Sequence, residues 1–163
     1  MEFLRRFKDP LREAQPQYWS TAAPSPVEIL PLPLPPGARA LLWTVLTLAG
    51  AMGLKHYVAD FVLQGGWMAR GKERARGWVA PLFAHAGCHA LLTLAVALAV
   101  APRLWWVAAA DFAAHAAIDR AKSLAADRGG WGPGQAQYWR LLGLDQFLHH
   151  LTGLGLIFVL LAL

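Results

Sequence analysis

Long apolar runs separated by short polar stretches dominate the chain from residue 39 onward. The runs lie at about 39–64, 79–101, 103–125 and 141–163. Each is as long as the ~20 residues that a helix needs to cross ~30 Å of hydrocarbon. Alanine and leucine fill them without the period-two alternation of a membrane-spanning strand. The pattern therefore predicts an all-α membrane protein, folded as a four-helix transmembrane bundle.

The first 38 residues have a different pattern, and we expect them to form a separate region. Apolar and basic residues recur near helical spacing over residues 3–12, as in a short amphipathic helix on a membrane surface. From Pro24 to Pro36 the sequence reads PSPVEILPLPLPP, and such dense prolines favour an extended strap. Its aliphatic residues indicate packing against the protein's own helices or against a partner in a membrane complex. We therefore divide the chain into a strap, residues 1–38, and a transmembrane domain, residues 39–163.

Composition excludes an ordinary soluble enzyme and a disordered chain. Hydrophobic residues make up 56% of the chain and charged residues 15%, whereas soluble domains contain about 25% charged residues. The net charge of +5 would indicate nucleic acid in a soluble protein, but the basic residues cluster in loops, so we expect no nucleic-acid partner. Cys88 is the only cysteine, which excludes a cysteine-rich metal site.

The charges between the predicted helices indicate an orientation in the membrane. The hairpin between the second and third helices contains Arg103 alone, whereas the regions on either side contain eight basic residues. These eight are Arg70, Lys72, Arg74, Arg76, Arg120, Lys122, Arg128 and Arg140. The positive-inside rule then places both basic regions in the cytoplasm and both termini outside. We interpret Lys72 as one such loop charge, and we expect Lys55 to extend toward the membrane interface.

Histidine and aspartate recur at helical spacing in every predicted helix. The pairs are His56 with Asp60, His85 with His89, His115 with Asp119, and Asp145 with His149; Asp111 lies one turn before His115. Residues four apart share one helical face. In antiparallel helices all four pairs fall on the side of the basic loops, ~5–15 Å below that surface. We therefore expect these side chains to converge in the interior of the bundle.

Imidazole and carboxylate ligands suit a divalent metal such as zinc, iron or manganese. The eight candidates exceed the ligands that one ion takes, so either one or two ions would fit. Two other interpretations remain open, namely a structural network of interhelical hydrogen bonds and a path for protons or ions. His150 and Gln146, which neighbour the fourth pair, are interpreted as core or interface residues.

The motifs HxxxDFxLQ from His56, HxxxH from His85, HxxxD from His115 and DQxxH from Asp145 occur together with Lys72. In this combination they resemble a family of small bacterial integral membrane proteins of unknown function. The resemblance covers about residues 40–160. It implies a multi-pass protein of the bacterial inner (cytoplasmic) membrane and supplies no activity.

Two functions of different classes are compatible with these features. The first is a metal-dependent hydrolase of an amphiphilic, lipid-linked substrate at the cytoplasmic face, because a bound metal makes a nucleophile from water at neutral pH. Asp111, or else Asp60, would be its general base, and the basic residues 70–76 would bind an anionic head group. The second is a non-enzymatic subunit or assembly factor of a larger complex, docked through residues 1–38. A transporter is disfavoured, because the outer half of the last helix, 154–163, is wholly apolar.

Overall fold

The computed structural model describes residues 34–162, and in that range it contains helices and no strand. The helices are α1 Pro36–Tyr57, α2 Gly66–Gly71, α3 Val79–Val100, α4 Val107–Gly129 and α5 Ala136–Ala162. A π-helical turn, Val58–Leu63, continues α1, and a 3₁₀ turn, Pro102–Leu104, precedes α4. The prediction of an all-α protein is thus confirmed for the described part of the chain.

Three helical segments are long and apolar enough to cross a membrane. They are Pro36–Leu63, Val79–Val100 and Ala136–Ala162. The remaining predicted span, 103–125, forms most of α4, which does not reach the same hydropathy in the described chain. Asp111, Asp119, Arg120 and Lys122 interrupt its alanines. A membrane protein is therefore supported by three helices, and a fourth span stays a prediction.

Helix α1 begins at Pro36, slightly before the expected residue 39. Proline is favoured in the first turn of a helix, because the N–H group that it lacks would have no partner there. Residues 1–33 lie outside the described residues, and with them most of the predicted strap, so its extended form and its contacts stay predictions.

The short helix α2 lies close against the start of α3 because Gly71 has no side chain. A Cβ atom at Gly71 would come within 2.5 Å of Cγ and 2.6 Å of Cβ of Pro81. Contacts this short require one of the two helices to move. The absence of a side chain therefore lets α2 approach α3, and this approach sets the position of the next residue, Lys72, at the end of α2.

The long helices pack so that α3 contacts both α1 and α4, and α5 also contacts both α1 and α4. The interior that they enclose has two unlike halves. One half is apolar and is formed by Leu48, Met52, Ala97, Leu104, Val107, Leu156, Ile157 and Leu160. The other half, nearer to α2 and to the connection between α4 and α5, is lined by histidine, aspartate and lysine.

Candidate metal centre

The eight side chains predicted from the spacing lie together in the polar half of the interior. Seven of them are buried, and the side chain of Asp60 is 14% exposed. The ring of His115 is central: its centroid lies 3.9 Å from that of His89 and 4.3 Å from that of His149. His56 completes the group at 5.2 Å from His89. The structure thus brings together pairs from four helices, as their common spacing and depth predict.

Asp60 connects the end of α1 to the start of α3. Its Oδ1 lies 2.9 Å from Nε2 of His89 and 3.4 Å from Nε2 of His85. Its Oδ2 lies 3.2 Å from Nε2 of His56. Asp60 belongs to the π-helical turn Val58–Leu63, an irregularity that often occurs at functional sites. The carboxylate of Asp60 therefore contacts three imidazole rings.

Asp119 has the corresponding role on α4. Its Oδ2 accepts a hydrogen bond from Nζ of Lys72 at 2.8 Å and lies 3.4 Å from Nε2 of His85. Its Oδ1 faces Nε2 of His149 at 3.7 Å. His85 therefore lies between Asp60 and Asp119, and the contacts of the two carboxylates form one continuous cluster.

Two histidines are oriented through Nδ1. Nδ1 of His115 lies 3.2 Å from the backbone oxygen of Asp111 and 3.0 Å from its Oδ1. Nδ1 of His149 lies 3.0 Å from the backbone oxygen of Asp145. When Nδ1 of a ring donates its proton to an oxygen, Nε2 of that ring keeps a lone pair. Nε2 of His115 has no hydrogen-bond partner in the described residues, whereas Nε2 of His149 lies 3.7 Å from Oδ1 of Asp119. Metal-binding histidines are commonly held in this way.

Several buried polar atoms of the cluster have no hydrogen-bond partner among residues 34–162. They include Nδ1 of His85, Nδ1 of His89, Nε2 of His115, Oδ1 of Asp145 and Oε1 of Gln64. A buried polar atom without a partner costs about 1–3 kcal/mol. Nitrogen lone pairs and carboxylate oxygens are suited to bind a cation, which would satisfy those atoms that it contacts.

The ligand atoms form three close sets within the described residues. In each set the ligand atoms lie within 4.8 Å of one another. The sets are His56 with His89 and His115; Asp60 with His85 and His89; and Asp119 with Asp145 and His149. Atoms bound to one ion at ~2.1 Å are at most ~4.2 Å apart, so each set needs only a small closure. The third set shares no residue with the others, which leaves room for a second ion.

The structure shows partners for two lysines that the sequence did not indicate, and one prediction about them is wrong. Lys55 does not extend to the interface; it is 6% exposed, and its Nζ donates a hydrogen bond to Oδ2 of Asp111. Lys72, interpreted as a loop charge of the cytoplasmic side, is 7% exposed and pairs with Asp119, and its side of the membrane stays a prediction. The physical reason is that a buried carboxylate needs a positive partner, and each lysine lies within reach of one. The intramembrane aspartates were the signal that could have indicated these pairs.

Asp111 has three partners and therefore a fixed orientation. Besides Lys55 and His115, Thr93 donates a hydrogen bond from Oγ1 to Oδ2 of Asp111 at 2.6 Å. Thr93 was not singled out from the sequence, although it lies four residues after His89 on the same face of α3. The role of Asp111 as a general base stays a prediction, whereas its contacts hold the ring of His115 in place.

The two neighbours of the last pair differ. His150 is exposed, and its Nδ1 faces the backbone oxygen of Gln146 at 2.7 Å. Gln146 belongs to the cluster: its Oε1 lies 3.3 Å from Nε2 of His56, and its Nε2 donates to Oδ2 of Asp145 at 3.2 Å. Gln146 therefore supports two of the candidate ligands, and His150 marks the edge of the group.

The fold and the site define a helical protein with three helices fit to cross a membrane and with a buried cluster of histidine and aspartate that could bind metal. Residues 50–162 match a family described as protein of unknown function (DUF3307), and the chain belongs to this family. The expected membership in a family of unknown function is thus confirmed. No curated protein and no solved structure matches the chain. The bacterial inner membrane as its location stays a prediction.

Proposed function

We propose that the protein is a multi-pass protein of the bacterial inner membrane, folded as a four-helix transmembrane bundle, that binds a divalent metal near the cytoplasmic face. The ligands are drawn from the eight predicted residues, and zinc, iron and manganese all suit them. The observation that carries the proposal is that candidate ligand atoms lie within 4.8 Å of one another in three sets of the described chain, one of them formed by His56, His89 and His115. The basic loops beside this end support the orientation.

The balance of buried charge supports a cation of charge two. The cluster contains four carboxylates, of Asp60, Asp111, Asp119 and Asp145, and the amines of Lys55 and Lys72. The next amine, of Lys122, pairs with Glu73 at 3.2 Å. With neutral imidazoles the cluster therefore has two negative charges in excess. Excess charge in a protein interior costs several kcal/mol per ion, and one divalent ion removes it.

Hydrolysis is the reaction that such a centre supports best. A bound divalent ion makes water acidic enough to attack at neutral pH. The proton of that water would go to Asp145, whose Oδ1 has no partner in the described chain, or to Asp60. Asp111, the base predicted from the sequence, is held by Lys55 and Thr93, and these contacts favour a positioning role. We propose an amphiphilic substrate that reaches the centre from the membrane.

The alternative function is that of a non-enzymatic subunit or assembly factor, docked through residues 1–38. The pairs Lys55–Asp111 and Lys72–Asp119 favour it, because a purely structural network also neutralises its carboxylates. In that case the cluster stabilises the bundle, with or without a structural metal, and turns over no substrate.

Metal analysis of the purified protein tests the proposal. We expect bound zinc, iron or manganese, and at least a ~10–100-fold lower affinity in His115→Ala, since even supporting residues of metal sites change affinity by that factor. His150→Ala is the matched control, because this histidine is exposed and one position along α5 from a candidate ligand. Clean protein without metal and without affinity for any would overturn the metal site. Bound metal without hydrolysis of lipid phosphates or peptides would favour the non-enzymatic function.

A further inference from the structure

Two cavities adjoin the cluster from different sides. The first, which we call the head cavity, has a volume of about 280 Å³ and lies beside the loop that follows α1. Its basic groups are those of Arg70, Lys72 and Lys122, and it also contains Asp145 and His149. The head cavity therefore joins the candidate metal ligands to the basic loop.

The second cavity, which we call the chain groove, lies between α1 and α5 and has a volume of about 170 Å³. Its walls are largely apolar and include Met52, Leu154 and Ile157. Gly53 and Gly153 line the groove, and a side chain added at either would extend into open space, since its Cβ would meet no atom within 4 Å. Both helices are apolar enough to cross a membrane, and a groove between two membrane-spanning helices would face the hydrocarbon.

Both cavities border one candidate ligand, because His149 lines the head cavity and the chain groove. His115 also lines the chain groove, and its Nε2 is one of the buried atoms without a partner in the described residues. A ligand that lay in both cavities would thus pass directly beside the candidate metal ligands. It would need a polar head for one cavity and an apolar chain for the other.

The charged groups that line the head cavity indicate which polar head group the ligand would have. The carboxylates of Asp60, Glu73, Asp119 and Asp145 outnumber the three basic groups of the head cavity by one. A divalent ion at the cluster reverses this balance and leaves one positive charge in excess. The cavity then suits an anion, and an arginine together with lysines beside a metal is suited to phosphate.

We propose that the ligand of this centre is an amphiphile with a phosphate head group and a linear hydrocarbon chain, which enters laterally between α1 and α5. The chain lies in the chain groove, and the phosphate lies in the head cavity next to the cluster. This inference rests on the proposed metal site for its anionic head, and on the chain groove for its lateral path.

Photolabelling of the full chain in phospholipid nanodiscs tests the path. The probe is a decyl phosphate with a diazirine at the end of its chain, added to zinc-loaded protein. We expect cross-links on α1 and α5 around Gly53 and Gly153, and competition by plain decyl phosphate. Gly53→Leu and Gly153→Leu should lower this labelling about tenfold, because each side chain displaces about two methylenes of the ligand. Gly50→Leu and Gly155→Leu are matched controls on the same helices, at open positions outside the groove.

The outcomes separate this inference from the metal site. Metal content should be equal in all four glycine variants, which also shows that they are folded. Equal labelling in groove variants and controls, or labelling spread over all lipid-facing helices, would overturn the lateral path even if metal is bound. Equal labelling by a diazirine-bearing decanol, or competition by inorganic phosphate as strong as by decyl phosphate, would overturn the phosphate amphiphile. A chelator should weaken competition by decyl phosphate while decanol labelling stays, and no effect of the chelator would contradict the role of the ion.

Discussion

Nζ of Lys72 donates a hydrogen bond to Oδ2 of Asp119 across 2.8 Å, between residues 47 positions apart in the sequence. The contact joins the end of α2 to the buried face of α4. Both side chains are almost wholly buried, so each charge is compensated mainly by the other. The loop that carries basic residues therefore takes part in the polar cluster rather than only facing the membrane surface.

Removal of this lysine should destabilise the metal-free protein. In Lys72→Met the carboxylate of Asp119 loses its positive partner, and breaking a buried ion pair costs about 3–5 kcal/mol. The free energy of unfolding in detergent with chelator measures this loss. Arg76→Met, in the same loop but exposed, should change stability by about 0.5 kcal/mol or less.

The same variant should bind divalent metal more tightly than the wild type, because one repelling positive charge is gone. Zinc should therefore raise the unfolding temperature of Lys72→Met more than that of the wild type. Equal losses in Lys72→Met and Arg76→Met would contradict the burial of this pair.

Asp111→Asn distinguishes a positioning residue from a general base. The amide keeps the shape of the side chain but leaves Lys55 without a negative partner and weakens the hold on His115. We expect metal affinity to fall ~10–100-fold, as for supporting residues of other metal sites. Metal titration of the purified variant measures this. Full metal binding with lost hydrolysis would instead identify Asp111 as the base.

The close approach of α2 to α3 predicts that replacing two different glycines by alanine changes the stability of the protein in opposite directions. Gly71→Ala places a Cβ against the ring of Pro81 and should cost about 1–3 kcal/mol, as overpacking does. Gly87→Ala lies in α3 with no atom within 4 Å of the new Cβ, and should stabilise the helix by up to ~1 kcal/mol. Thermal unfolding of the two variants side by side checks this contrast. A neutral Gly71→Ala would show that α2 is free to move.

The proposed orientation predicts that both basic regions face the cytoplasm. With Cys88 replaced by alanine, Arg74→Cys and Arg128→Cys should react with a membrane-impermeant maleimide only after the cells are opened. Both positions are exposed, so a lack of reaction in intact cells reflects the membrane. Labelling of both from outside would reverse the assignment.

The strap predicted at Pro24–Pro36 should be packed against protein. A glutamate-specific protease should leave the bond after Glu28 intact in the assembled protein, because aliphatic residues on both sides of Glu28 favour packing. Denatured protein, cleaved rapidly at the same bond, is the control. Rapid cleavage at Glu28 while the helices stay intact would show that the strap is an unpacked tether.

Most of the candidate site could be predicted from the sequence because its spacing is local. A histidine and an aspartate four residues apart share a helical face whatever surrounds the helix. The lengths of the apolar runs likewise predict the helices, and their order places His56, His85 and Asp145 near the same end. These inferences need only the geometry of one helix and the direction of the next.

Which side chains pair with each other within the cluster could be seen only in the tertiary structure. Lys55 and Asp111 are 56 residues apart, and only the packing of the helices brings their side chains within hydrogen-bond distance. The π-helical turn that places Asp60 against three histidines has no local signal that we can identify in the sequence. The sequence by itself determined which faces are polar, because helix geometry repeats at every turn. The tertiary structure alone decided which charge meets which, because a buried charge takes the nearest opposite charge, and nearness in space is a property of the packed helices.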